Sequence, residues 1–581
     1  MENINQDQLR KANAISDGQQ FFISIWCELL NMDTIDSYRV RTMNANLILT
    51  ELEHAIHDRI VDDISLNNIL FICREAEKLI GSDKICTDYY KNESKYVLNL
   101  LKNIQSNKKD EELLLLEYKI KVLKKLLNDN YLSLILENLK KAIDENNLNN
   151  INLLSRSLTT ELIQIGYSIE YLYFLKIQFL AKEENKDFNS KWIEFVKSIN
   201  GSKTKYNVHF KFNCNKILQG YENLFDIKIF SSYQNKKPLE VENQFISQPG
   251  MFYGLIENIE SLDHYSAIIN STKKIEIIQN LMRYEFRKTE FDISPYFLVE
   301  NITSKEFQSR NSYQRPIGFI SSGRKKRFDD YLKFFKDIKL DEYSIERISN
   351  SFKYFRMSLD SDDIEVRFVL CWVALEFLLK TGTHSNIISR ILYYLPKIHS
   401  LQFFKKLLID FSSNLNRMNV PAIILEEFFK KKYGLVDIES IYNVLLDKDK
   451  VKQLSEKLVN NHLKFRLNEL SEIFNNQDNL NRRFLQHYDN IVWNIQRIYR
   501  IRNKIVHSAA TGFNIRQVEG NLTYYFSTLF NNIIYTAANS STNLSIESIL
   551  NEYDSKSDYV FSLIKSGDFN FETLISTNID L

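Results

Sequence analysis

Two residue types that can act together on an anionic substrate stand five positions apart in Arg502-Asn503-Lys504-Ile505-Val506-His507. A guanidinium grips an oxyanion through two parallel N–H groups. An imidazole, with an unperturbed pKa of about 6.5, gives or takes a proton near neutrality. Spacing alone decides nothing, because Arg482-Arg-Phe-Leu-Gln-His487 repeats it earlier in the chain. Context separates the two. Steps of four and three along a helix join Ile491, Ile495, Ile498, Arg502 and Ile505, which places Arg502 within an apolar stripe. An arginine there is costly unless it is paired or lines a cavity. Asn503 and His507 are one helical turn apart, so the amide can orient the imidazole. Ser508-Ala-Ala-Thr-Gly512 should end the helix and leave His507 accessible. The competing structural reading is a buried arginine–glutamate pair and a helix-capping histidine, since ion-pair networks mimic active sites.

Other chemistry is sparse. The phosphate-cradling patterns G-x-x-x-x-G-K-[ST] and G-x-G-x-x-G do not occur, nor does H-E-x-x-H. His54 and His57, with Asp58 beside them, have a spacing that could supply part of a metal site, but no third histidine or cysteine lies near in sequence. The expectation is a solvated helix face, and neither metal nor cofactor is expected. Cys27, Cys73, Cys86, Cys214 and Cys371 form no C-x-x-C pair. They read as reduced, buried small hydrophobes. Arg324-Lys325-Lys326-Arg327 follows Ser321-Ser-Gly323 and offers four cations to RNA phosphates, against the commoner reading of a solvated charge run.

The elements that must position these residues are mostly helices. The chain has 581 residues, 44% of them hydrophobic, and a formal net charge of +1. It can bury a full core, and any nucleic-acid contact must come from a local basic patch. The longest apolar run, Phe368 to Leu379, is broken by Glu376 and is too short to cross a bilayer. The first residues are polar and lack a signal-peptide core, so a soluble cytoplasmic protein is expected. The first proline is Pro238, which lets long helices run unbroken before it. Leu113, Leu116, Ile120 and Leu123 to Leu127 mark one helix, and Ser157-Leu-Thr-Thr-Glu161 reads as the start of another.

Texture changes near residue 201. Tyr206 to Asn213, Phe225 to Phe230, Tyr265 to Ile269 and Pro295 to Val299 read as strands. Helical patterns return at 328–338, 343–359 and 364–379, and then at 385–395, 401–412, 422–432, 438–446, 450–474, 487–507 and 514–536. The expected fold is mainly α. It comprises a helical N-terminal region (1–200), a middle α+β domain (201–323), a C-terminal helical bundle (324–545) and a tail (546–581).

Arg-Asn-x-x-Val-His at the end of an amphipathic helix resembles the Arg-x4–6-His signature of the HEPN superfamily. Phe352-Lys-Tyr-Phe-Arg356, Asp360-Ser-Asp-Asp363 and Phe368-Val-Leu-Cys-Trp-Val-Ala-Leu-Glu-Phe377 resemble the helix pair of the ApeA-like HEPN group. The likeness covers residues 340–540 and departs from the pattern in a long insertion that holds Lys430-Lys-Lys and Asp447-Lys-Asp-Lys-Val-Lys452. It implies a HEPN helical bundle, usually dimeric, with metal-independent endoribonuclease activity, in toxins or antiviral abortive-infection effectors. By position it makes Arg502 and His507 the signature residues and Asn503 the polar residue after the arginine. Glu376 falls in the Trp-x-Ala-Leu-Glu helix as a supporting residue. Its bland reading is an acid neutralised by an arginine, and that of Trp372 is core packing. The partners implied are an RNA substrate, a second copy of the chain, and a phage-derived trigger or other ligand on residues 1–323. A catalytically inactive scaffold or nucleic-acid-binding regulator is the alternative.

Overall fold

The computed structural model describes residues 8–9, 14–31, 43–62, 66–107, 112–180, 186–214, 223–224, 226–231, 251–286, 291–311, 331–332, 334, 336, 339–361, 363–380, 386–432, 435–508 and 515–576. They are mostly helical, with one antiparallel sheet and a short hairpin. The chain divides into two compact units. One joins residues 1–161 to 316–581, and the other is 162–315. Texture in the sequence changes at 201 and 324, whereas packing draws its boundaries at 162 and 316.

In the larger unit, the Leu113–Asp144 helix buries the expected stripe, with Leu113, Leu116, Ile120, Leu123 and Leu127 all at 2% exposure or less. A single apolar cluster runs through the C-terminal helices from Phe334 to Leu574. At its centre the Ile364–Leu379 helix buries Phe368, Trp372, Leu375 and Leu378. The long Gln477–Ser508 helix contributes Ile491, Ile495 and Ile498. All five cysteines are buried, as expected of small hydrophobes.

Several boundaries differ from the sequence reading, each for a local reason. Ser157 to Glu161 lies inside the Leu148–Ile165 helix. The start signal is Asn147, whose side chain accepts from the Asn150 N–H at 3.1 Å. Tyr265 to Ile269 is helical, within His264–Phe286, because the Asp263 carboxylate accepts from the Ser266 N–H at 2.8 Å and caps a helix there. The 422–432 helix stops at Phe428, and Lys431–Lys432 pairs with Leu435–Val436. The 450–474 pattern is two helices, Lys448–Lys457 and Asn461–Phe474, the second capped by Asn460. The motif-bearing helix begins ten residues earlier than expected, at Gln477 rather than 487. Residues 546–566 form a helix with a Ser545/Ser548 capping box, ended by Gly567 at φ +85°. Ile546, Ile549, Leu550 and Ile564 of that helix are buried in the main core, so much of the expected tail is a structural element.

In the smaller unit six strands follow the order β2-β3-β4-β1-β5-β6. They are β1 (Thr204–Cys214), β2 (Asn223–Leu224), β3 (Ile227–Phe230), β4 (Met251–Ser261), β5 (Phe291–Asn301) and β6 (Phe307–Asn311). Every described pairing is antiparallel. The His264–Phe286 helix covers one face through Ala267, Ile268, Ile275 and Ile278. Gly254 on β4 faces Phe210 on β1, and a Cβ there would sit 2.2 Å from the phenyl ring, so only glycine admits that aromatic.

Among the described residues no helix is long and apolar enough to cross a membrane.

Candidate active site

The Gln477–Ser508 helix presents three faces near its C-terminal end. The first continues the isoleucine stripe. Arg502 is half-buried there, and its Nη2 lies 4.0 Å from Glu376 Oε1 on the Ile364–Leu379 helix. Trp372, fully buried, donates from Nε1 to the same Glu376 oxygen at 2.5 Å, and its ring meets Tyr499 at 5.8 Å. Arg502 Nη1 donates to the Asn503 side-chain carbonyl at 3.2 Å. Arg502 Nε is buried with no acceptor, which leaves one guanidinium hydrogen free for a ligand oxygen.

The second face is ionic. Arg497 donates to Glu51 at 2.9 Å and to Glu75 at 2.6 Å, Arg500 pairs with Glu51, and Lys504 meets Asp58 at 2.8 Å. These carboxylates belong to the Ala45–Asp62 and Leu66–Ser82 helices. Glu51 pairs with Arg497 and Arg500 and Asp58 with Lys504, so the Ala45–Asp62 helix runs parallel to the motif-bearing helix. Burial alone would raise the Glu51 pKa, yet the Arg497 and Arg500 guanidiniums outweigh it and hold the carboxyl at about 2. Glu75 goes the other way, raised first by burial and then by the nearby Glu51 charge, because Arg497 is shared between the two acids.

The third face is open. His507 is exposed, as is Val506 at 47%. At about 100° per residue, His507 lies roughly 140° around the axis from Arg502 and only about 20° from Arg500. Its imidazole therefore belongs to the side bordered by the Ala45–Asp62 helix. No hydrogen bond joins Asn503 to His507 among the described residues. The Asn503 amide oxygen serves Arg502 instead, so the orienting role expected of it falls on the arginine.

The other sequence candidates fall as follows. Arg482 is exposed and donates to Asn479 at 2.8 Å. His487 stacks on Phe403 at 3.9 Å between ring centroids, and burial, with Lys406 and Arg483 adding, pushes its pKa down to about 3. That Arg-x4-His match is thus divided between solvent and an aromatic wall. His54 and His57 are exposed. The His54 pKa is pushed down, first by partial burial and then by Lys504 and Lys124. Asp58 is engaged with Lys504, and no group of three or more ligating side chains that could hold a metal is present among the described residues. Arg324, Lys325, Lys326 and Arg327 lie outside the described residues.

Sequence reasoning missed the ionic face entirely. The only local signal was Arg497 and Arg500 one turn apart. Their partners lie 422 to 449 residues away, beyond the reach of any spacing rule.

No family model matches this chain, no curated protein is similar to it, and no solved structure resembles it.

Proposed function

We propose that the chain is a metal-independent endoribonuclease of the HEPN type, acting as a regulated toxin or antiviral effector, with Arg502 and His507 in the catalytic roles. The observation that supports this most is the contrast between the two side chains. A half-buried guanidinium keeps a buried hydrogen-bond donor without a partner, and an exposed imidazole ends the same helix. RNA carries its own nucleophile in the 2′-OH. His507 would move the proton, and Arg502 would hold the phosphate as charge builds on it. Asn503 and Glu376 would fix the guanidinium plane. The products would be a 2′,3′-cyclic phosphate and a 5′-OH. Digestion of labelled RNA in excess EDTA, with end-group analysis, is expected to proceed at the rate seen with magnesium. Activity lost in EDTA and restored by magnesium would rule out this mechanism.

One helix does not aim Arg502 and His507 at a single phosphate, so a homodimer with a composite site follows from the proposal. The isoleucine stripe is buried in its own chain and is not free to face a partner. The contact must therefore use the exposed terminal turn around Val506 and His507, with the two copies related by a two-fold axis. Mixing a His507→Ala chain with an Arg502→Ala chain at equal concentration is expected to restore about a quarter of wild-type cleavage, as random exchange makes half the dimers mixed and each mixed dimer keeps one intact site of its two. No recovery, with a monomer by light scattering at the same concentration, would exclude the shared site.

A second reading, an inactive scaffold, is favoured by the approach of Glu376 to Arg502 and by the divergence of Arg502 from His507. The EDTA digest of the wild-type chain separates the two, because a scaffold cleaves nothing.

The ion pairs joining residues 51, 58 and 75 to the helix that carries the motif support a regulatory role for the N-terminal region. A ligand that moves those helices would move the catalytic helix with them.

A further inference from the structure

Four helices of the larger unit bring a second set of reactive side chains together, away from Arg502 and His507. Lys406 lies in the first turn of the Phe403–Arg417 helix, and His399 near the end of the Ile387–Leu401 helix. Tyr524 comes from the Ile515–Ala538 helix, and His487 from the first half of the motif-bearing helix. Lys406 donates to the Tyr524 hydroxyl, and its ammonium sits 4.6 Å from the centre of that ring. The His399 ring lies 5.2 Å from Tyr524 and 4.9 Å from Tyr525. The Arg483 guanidinium stands 5.9 Å above Phe403, on whose ring His487 stacks.

Of the cationic groups here, Arg483 has a carboxylate near it, Glu469 at 3.9 Å. Among the described residues no carboxylate pairs with Lys406. His399 is 2% exposed, yet its Nε2 has no hydrogen-bond partner. Gln402 Oε1 and Asn532 Nδ2, on residues 2% exposed and joined by a Gln402 Nε2 to Asn532 Oδ1 hydrogen bond of 3.4 Å, are likewise without partners. The Phe403–Arg417 helix begins at Gln402 with no side-chain cap. A lysine in the first turn of a helix opposes the helix dipole, whereas an anion there is favoured. A half-buried cation without a counter-charge and a buried imidazole nitrogen without a partner each cost stability. One bound oxyanion would satisfy both.

We propose that His399, Lys406, His487 and Tyr524 form a binding site for a phosphate group, separate from the Arg502–His507 segment. His487 and His507 are 20 residues apart on one helix, or about 30 Å, so the site does not rest on the ribonuclease reading. Lys406, Tyr524, His487 and Arg483 are each partly exposed and form its mouth. His399 is its floor. Without ligand the two histidines are neutral at neutral pH and Lys406 is only partly protonated. Burial pushes the Lys406 pKa down to about 7, and both histidines are pushed well below their ordinary value, first by burial and then by Lys406. An anion favours the protonated forms. Binding therefore takes up protons, and affinity rises as pH falls from 8 to 6.

The test is calorimetric titration of the full chain with sodium sulfate and with inorganic phosphate, at pH 6 and pH 8. Sulfate keeps the same charge at both, so a pH effect on its affinity belongs to the protein. Wild type is expected to bind both anions, with proton uptake. Lys406→Met should weaken sulfate at pH 6 by tenfold or more, while Lys406→Arg retains it. The Lys406→Met chain without ligand should also melt higher than wild type at pH 6, because an uncompensated half-buried cation has been removed. That readout separates a ligand site from a merely structural lysine. Displacement of sulfate by a short single-stranded RNA assigns the phosphate to an RNA strand; sulfate held unchanged in its presence assigns it to a small ligand. Equal sulfate binding by wild type and Lys406→Met, or no binding of either anion by wild type at millimolar concentration, overturns the proposal.

Discussion

Replacing His507 by alanine is expected to lower RNA cleavage by a factor on the order of 10²–10⁴, the usual loss when a positioned general acid–base group is removed. Replacing Arg502 by alanine should cost on the order of 10²–10³, as removal of a donor to a developing oxyanion does. The two substitutions act on differently placed side chains, so folding can be followed separately. His507 is exposed with no partner among the described residues, and its loss should leave the melting temperature unchanged. Arg502→Ala removes a neighbour of Glu376, but Glu376 keeps its hydrogen bond from Trp372, so the change in stability should be small. Arg502→Lys retains a charge without the planar fork and should recover little activity if the phosphate is held bidentately. The internal control is Arg482→Ala. Arg482 belongs to the other Arg-x4-His match, is exposed and donates to Asn479, so its loss should leave catalysis in place. Initial rates on a labelled RNA, with melting curves for each variant, decide the matter. Cleavage undiminished in a folded His507→Ala chain would sink the assignment.

The second large effect concerns stability. Arg497→Met is expected to destabilise the larger unit by about 3–5 kcal/mol at neutral pH, the range found when one partner of a buried ion pair is deleted. Arg497 is 6% exposed, Glu51 4% and Glu75 6%, so the substitution strands two acids away from water, with Arg500 left to serve only Glu51. The pH dependence has a defined sign. Glu51 is held at about 2, below its ordinary 4.5. Its contribution to wild-type stability is therefore complete above pH 4.5 and lost as pH falls toward 2. In the variant the stranded carboxyls take up protons readily, and that relieves their burial. The stability gap should thus narrow on acidification. Urea midpoints for both chains at pH 7 and pH 4 measure this, and adding Glu75→Gln to Arg497→Met should recover part of the loss at pH 7. A gap below about 1 kcal/mol at pH 7 would show that the network contributes little, as exposed pairs do.

What could be read from the sequence was local. The stripe Ile491, Ile495, Ile498 follows from helical period alone, and it placed Arg502 on the inward side of its helix correctly. The Leu113 to Leu127 face and the Tyr206 to Asn213 strand were legible for the same reason. Errors cluster where one side chain overrides a pattern. Asp263 turns a strand-like Tyr265 to Ile269 into a helix, Asn460 divides one helical pattern into two, and Asn147 starts a helix ten residues before the Ser157 signal. Within the site, Arg502 could be placed on a face, but its partner could not be chosen, since Glu376 lies on another helix and Asn503 competes for the same guanidinium. The Lys406 cluster had no signature at all. Its four residues come from four helices, and what marks it is the absence of a counter-charge, which spacing cannot display.

The larger unit is discontinuous in sequence, and this orders events during synthesis. Glu75 precedes its partner Arg497 by 422 residues. At ribosomal rates of about 5–20 residues per second, the acid waits roughly 20–80 s for its arginine. Residues 162–315 make their contacts mainly with one another and can condense within that interval. The Ala45–Asp62 and Leu66–Ser82 helices cannot finish packing until the Gln477–Ser508 helix is made. A nascent chain halted before Arg497 would hold uncompensated carboxylates and be open to chaperones and proteases. The helix carrying Arg502 and His507 is therefore locked in place only late in synthesis, so a ribosome-bound fragment lacks a completed arginine–histidine site.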